Sequence, residues 1–324
     1  VVTAREKIRR RGPLRRRASP SPGVSEHLPK KRPGTGRLAY LLNAPAILVI
    51  LGLIAYPIVY SLWISLHNDN VNDPGVFTFA GVQNYLEALR SDVFRSSLVV
   101  TAEFAAGAVA VVVLFGLALA LLLDRDIPGR GVLRALMLVP WAVPPIINAA
   151  LWRLIFDAHT GALNGLLSQL GIISHYQSWL VQPKLALVMV VIAYSWNRVP
   201  LAAIVLLAGL QAIPRDLYEA ARIDRANAWQ RFRRITLPYL ARPLVIVLII
   251  ETMTSLRAFD LFYVLTSGGP GTSTTVLSWL TYQTAFVNLD LGLGAAYSYI
   301  LVAITVIVAI FYIRALSKGS EVES

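Results

Sequence analysis

Four ionisable residues, Arg198, Glu251, Arg257 and Asp260, stand inside apolar stretches of this sequence. At membrane depth such groups cost roughly 2.5–3.5 kcal/mol each on insertion scales, so each needs a partner or a task. Arg257 and Asp260 are three residues apart, the spacing of neighbours on one helix face, and can neutralise each other there. Arg198 lies too deep in its apolar run for the guanidinium to reach the interface. Glu251 shares a helix face with Thr254 and Ser255. Two readings stand side by side: ion pairs that hold a helix bundle together, or a polar lining for the path of a solute. For the second, Asn148, Trp196 and Asn197 join Arg198 and Glu251 in supplying amide, carboxylate, guanidinium and aromatic groups. Sugars are held by such sets, because each hydroxyl both donates and accepts. Trp141, Trp152 and Tyr194 add aromatic rings nearby, although tryptophans at span ends also serve as interfacial anchors. Nothing here reads as a catalyst. The four histidines are scattered through tails and loops, there is no cysteine, and no glycine-rich phosphate loop follows a strand. No metal site and no cofactor are expected on this chain.

The elements that position these residues are membrane helices. Hydrophobic residues make up 56% of the chain, charged residues only 15%, and mean hydropathy is +0.60, which places it outside the range of soluble domains. Apolar runs predict six spans at about 38–66, 96–123, 135–156, 185–210, 244–266 and 295–313. Pro57 predicts a kink in the first. Pro140, Pro144 and Pro145 predict that the third is broken or bent, facing protein or a cavity, because prolines free backbone carbonyls at membrane depth. Residues 1–37 hold twelve of the thirty Lys and Arg among Pro, Ser and Gly, and read as a disordered basic cytoplasmic tail. Residues 38–314 form the membrane domain, and 315–324 a short second tail. Of the Lys and Arg outside the spans, 24 fall on one side and 3 on the other. The positive-inside rule then puts both termini in the cytoplasm. The expected fold is an all-α integral membrane protein of six transmembrane helices. Lipid is its surroundings, and nothing aromatic is interleaved in the basic tail to suggest nucleic acid.

One long polar stretch, 211–243, interrupts the apolar sequence between the fourth and fifth spans and carries seven arginines. Pro214, followed by Asp216 and Glu219, predicts a short helix to Ile223. Asp224-Arg225-Ala226 reads as a turn. Asn227 and Gln230 have capping-box spacing for a second helix, which Pro238 is expected to close. The product is a helical hairpin whose apolar face has no cover within the chain.

At these residues the sequence resembles a family. Glu219, Ala220, Ala221, Asp224, Ala226, Phe232, Leu237 and Pro238 look like the EAA loop of bacterial ABC importer permeases. The runs Trp196-Asn197-Arg198-Val199-Pro200, Ala208-Gly209-Leu210 and Leu265-Thr266-Ser267-Gly268-Gly269-Pro270 resemble the carbohydrate-uptake branch. That resemblance implies the type I permease fold and localisation in the inner (plasma) membrane. It also implies a second permease subunit, two cytosolic ATPase subunits that hold ATP and Mg, and an extracytoplasmic solute-binding protein. The hairpin would dock on the ATPase through the residues just named. The family has glycine after the aspartate where this chain has Arg225, which leaves the geometry of the turn open. A rival reading is an ion-coupled secondary transporter or channel subunit with Glu251 and Asp260 as coupling carboxylates. A third is a membrane anchor for a cytosolic complex.

Overall fold

The computed structural model describes residues 35–73, 75, 77–126 and 128–320. The 1–34 part of the basic tail and residues 321–324 lie outside them. The chain divides into two units at Ala55/Tyr56. The first contains helix α1 (Thr35–Ile50) and a π turn, Leu51–Ala55. Its apolar side chains, Leu48 and Leu53 among them, are exposed, as lipid-facing residues are.

The second unit begins with α2 (Tyr56–Ser65) and a two-residue hairpin of β1 (His67–Asn68) and β2 (Thr78–Phe79). Then follow α3 (Gln83–Arg90) and α4 (Asp92–Leu123), the latter started by Ser91, whose Oγ accepts from the Phe94 amide. The expected broken span is α5 (Arg130–Met137), α6 (Val139–Ala142) and α7 (Pro145–Ile155), with a 93° bend before α7. Val143 and Pro144 each precede a proline and are driven out of the helical region, to ψ 125° and 141°. Beyond α7, the Asp157 carboxylate accepts from the His159 and Thr160 amides, which hold its pKa below the ordinary value.

After α8 (Ala162–Gln169) comes α9 (Pro183–Gln211), the central helix, packed along α4 and against the later helices. The close crossings need small residues. A Cβ on Gly116 would stand 2.9 Å from Ala202 Cβ, and one on Gly209 would stand 2.5 Å from Pro243 Cγ. The core between α4 and α9 is sealed by Phe104, which meets Tyr194 and Phe262 edge-on at 5.3 and 4.8 Å.

Two expectations need correction here. The second helix of the polar hairpin does not end at Pro238. It runs from α11 (Ala228–Arg231) through a π turn, Phe232–Thr236, into α12 (Leu237–Leu256), a continuous span of 29 residues. The π turn bonds the Leu237 amide to the Phe232 carbonyl, and Pro238, which has no amide to place, is accommodated in the turn that follows. The fifth span does not reach Thr266 unbroken either. It stops at Leu256, and a separate short helix, α13 (Asp260–Leu265), follows. The chain ends with α14 (Leu277–Tyr282), a π turn at Gln283–Val287 and α15 (Leu291–Ser320). Among the described residues, five helices are long and apolar enough to cross a membrane, and the bent pair supplies the sixth when its arms count as one span.

Candidate functional site

Helix α10 (Arg215–Ile223) starts after Pro214 and ends in a Schellman motif. The Ala226 amide donates to the Ala221 carbonyl at 2.9 Å and the Arg225 amide to the Arg222 carbonyl at 3.0 Å. Arg225 has φ 55°, so the left-handed position where the family has glycine is occupied here by an arginine. The geometry left open by the sequence is therefore the glycine-type turn. Beyond it the capping box is complete: Gln230 N–H donates to Asn227 Oδ1, and Asn227 N–H to Gln230 Oε1, both at 2.8 Å. The two halves are tied by the Tyr218 and Thr236 hydroxyls at 2.8 Å and by Arg231 Nη1 donating to the Ala226 carbonyl. Glu219, Ala220, Asp224, Leu237 and Pro238 are exposed, while Ala221, Ala226 and Phe232 are half-buried. Ile223 is 82% and Trp229 66% exposed, with the Trp229 ring stacked on Phe232 at 5.7 Å. The face of α10 that carries Arg215, Glu219 and Arg222 borders a polar cleft of about 750 Å³. Across it Arg134 donates to the Leu123 carbonyl and so holds the end of α4.

The buried charges form a second constellation. Arg198 on α9 and Glu251 on α12 make a bidentate pair, Nε to Oε2 at 3.1 Å and Nη2 to Oε1 at 3.0 Å, with Tyr194 O–H donating to Oε2 at 3.4 Å. The Glu251 side chain is 1% exposed. Of the two readings of these residues, interhelical pairing is the one the geometry fills for Glu251. Arg257 and Asp260 do not pair: no ion pair joins them among the described residues, because the helix break falls between them. Asn197 is committed to the bent span. Its Nδ2 donates to the Pro140 and Val143 carbonyls at 2.6 and 3.1 Å, two acceptors beside the break. Asn148 Nδ2 donates to the Ala193 carbonyl, and its Oδ1 is buried with no partner among the described residues.

Asn148, Asn197 and Arg198 are brought together on a cavity of about 130 Å³ at the α12–α13 break. Glu251 stands behind Arg198 rather than on the wall. Trp196 is not part of the wall either; it packs edge-on to Trp152 at 6.1 Å. Tyr194, Arg257 and Asp260, which the sequence offers as aromatic or polar lining, also face the cavity, and Phe259, which the sequence does not single out, joins them. For Tyr194 the signal was there, four residues from Arg198 on one helix face.

Residues 84–318 match the family described as "Binding-protein-dependent transport system inner membrane component". The chain belongs to that family. It is 43% identical over 279 residues, 86% of this chain and 93% of the other, to the trehalose/maltose transport system permease protein MalF of Thermococcus litoralis. It is 34% identical over 288 residues, 88% and 91% of the two chains, to the trehalose transport system permease protein SugA of Mycobacterium tuberculosis. In fold it is similar to a bacterial ABC transporter involved in the import of the acidic polysaccharide alginate, with a TM-score of 0.74 at 21% identity over 88% of this chain and 96% of that one. As an inner membrane component of a binding-protein-dependent transport system, the chain is a multi-pass transport subunit. The ion-coupled reading, which needed Glu251 as a coupling carboxylate, has no support from this family, and Glu251 is already held by Arg198.

Proposed function

We propose that this chain is one transmembrane subunit of an ATP-driven importer that moves a sugar or sugar-like solute into the cytoplasm by alternating access. A second permease subunit, two cytosolic ATPase subunits carrying ATP and Mg, and an extracytoplasmic solute-binding protein complete it. The sugar assignment is supported by the trehalose and maltose permeases to which the chain is similar. A binding-protein partner is supported by a structural neighbour solved in complex with an alginate pentasaccharide-bound periplasmic protein. A cytoplasmic hairpin and cytoplasmic termini are supported by the charge asymmetry of 24 to 3.

One observation carries the mechanism. The hairpin that exposes Ile223 and Trp229 is continuous with α12, and α12 is tied to α9 by the Arg198–Glu251 pair. A displacement applied to Ala220, Ala221 and Glu219 by an ATPase is thereby delivered to the helix break and its cavity. The test is co-purification of the chain with a co-expressed ATPase of this transporter class, followed by solute-stimulated ATP hydrolysis in proteoliposomes. Full association and stimulation after Ala221→Trp and Glu219→Lys would remove the hairpin from the mechanism.

A further inference from the structure

The cavity at the α12–α13 break has an electrostatic character that the family does not dictate, since its fold also serves an acidic polysaccharide in the alginate transporter. Resting on the sugar-import reading above, we infer that this cavity selects uncharged, polyhydroxylated ligands and rejects acidic ones, with Arg257 and Asp260 as the specificity-determining pair.

Three groups at the cavity keep hydrogen-bonding capacity that no protein group fills among the described residues. Asn148 is 1% exposed, and its Oδ1 is buried without a partner among the described residues. Arg257 is exposed and donates only its Nε within the protein, to the Met253 carbonyl of its own helix at 3.1 Å, which leaves both Nη groups for a ligand. Asp260 opens α13 and makes no ion pair or side-chain hydrogen bond among the described residues. The remaining charge on the wall is Arg198, already neutralised by Glu251. Two opposite charges thus line one small space without touching each other. Their sum is zero.

A ligand must then accept from Arg257 and donate to both Asp260 and Asn148 Oδ1. A hydroxyl does both, and neighbouring hydroxyls on one ring can serve all three groups. A carboxylate or phosphate satisfies Arg257 but stands as a like charge beside Asp260 and has no proton for Asn148. A cationic sugar fails in the opposite sense. Phe259 supplies an apolar wall, its ring buttressed by Tyr263 and Tyr282 at 5.5 and 5.1 Å, for the C–H face of a sugar ring. A site built to hydrogen-bond hydroxyls discriminates strongly against ligands that leave its buried polar groups unpaired.

The test reads the cavity itself rather than the binding protein that precedes it. The chain has no cysteine, so a single one at Ala258, or in a second reporter at Thr254, reports occupancy by its rate of alkylation. Neutral mono- and disaccharides, including trehalose and maltose, should slow labelling of the assembled transporter by roughly tenfold, and digalacturonate should not. In the Asp260→Asn background digalacturonate should become protective. In the Arg257→Gln background a diglucosamine should. Equal protection by neutral and acidic sugars in the parent cavity would overturn the inference, as would selectivity unchanged by Asp260→Asn. Uptake of the same neutral sugars separates the two ideas. An assembly that imports them without protecting either reporter refutes the cavity assignment alone, whereas one that imports no sugar refutes the transport reading, and the inference with it.

Discussion

Glu251 keeps both carboxylate oxygens on a single guanidinium, that of Arg198, so two helices separated in sequence by the whole hairpin are fastened to each other inside the apolar core. Removing two charges from water is costly, and such a pair adds little net stability over a well-packed apolar one. Removing one partner is a different matter, because it leaves the other buried and uncompensated.

Glu251→Gln is therefore expected to cost about 3–5 kcal/mol and Arg198→Met a similar amount, while the double replacement Arg198→Met with Glu251→Leu recovers most of it. Thermal unfolding of the purified chain in detergent measures this. Single variants as stable as the parent would show that the pair holds nothing together.

Arg225 occupies a left-handed turn that costs an L side chain roughly 1–2 kcal/mol. Arg225→Gly should stabilise the hairpin by about 1 kcal/mol, and Arg225→Val should weaken it. Hydrogen exchange at the Ala226 amide, which closes the Schellman motif, reports both changes. Faster exchange in the glycine variant would contradict the assignment.

Bulk or reversed charge on α10 should prevent docking without unfolding the span. Ala221→Trp and Glu219→Lys are expected to insert normally, lose ATPase association and lose uptake, with Ala221→Trp the more severe because that side chain is half-buried against the turn. Immunoblotting of membranes separates insertion from association.

Orientation is tested with single cysteines at exposed positions. Those at His159 and Thr272 should react with an impermeant thiol reagent added outside sealed cells, and those at Arg125 and Arg233 should react only after permeabilisation. Labelling of Arg233 from outside would invert the topology and withdraw the hairpin from any cytosolic partner.

Local chemistry was legible in the sequence, and long-range geometry was not. Pro214, the Asn227/Gln230 box and the triple proline of the bent span act over a few residues, and each appears where its local rule puts it. The continuity of the helix past Pro238 was hidden because a π turn has no composition of its own. The break at Arg257–Phe259 was hidden for a related reason, since it contains neither glycine nor proline. Pairing Arg198 with Glu251 required knowing that α9 and α12 cross, which the crossing residues Gly209 and Pro243 do not announce one at a time. Asn197 was singled out for its amide. Its clamp on the Pro140 and Val143 carbonyls follows from the broken span that the same prolines predicted.

The π turn at Phe232–Thr236 also sets a direction. It contains one residue more than a turn of α-helix, and each residue rotates a helix by about 100°. The segment bearing Trp229 is thus turned about the axis relative to where an uninterrupted helix would aim it, while its distance from the membrane hardly changes. Side chains along the segment can be exchanged without altering that heading, but deleting a single residue between Phe232 and Thr236 would swing Trp229 round to another side of the bundle. The number of residues in this turn, more than their identity, decides which way the hairpin points.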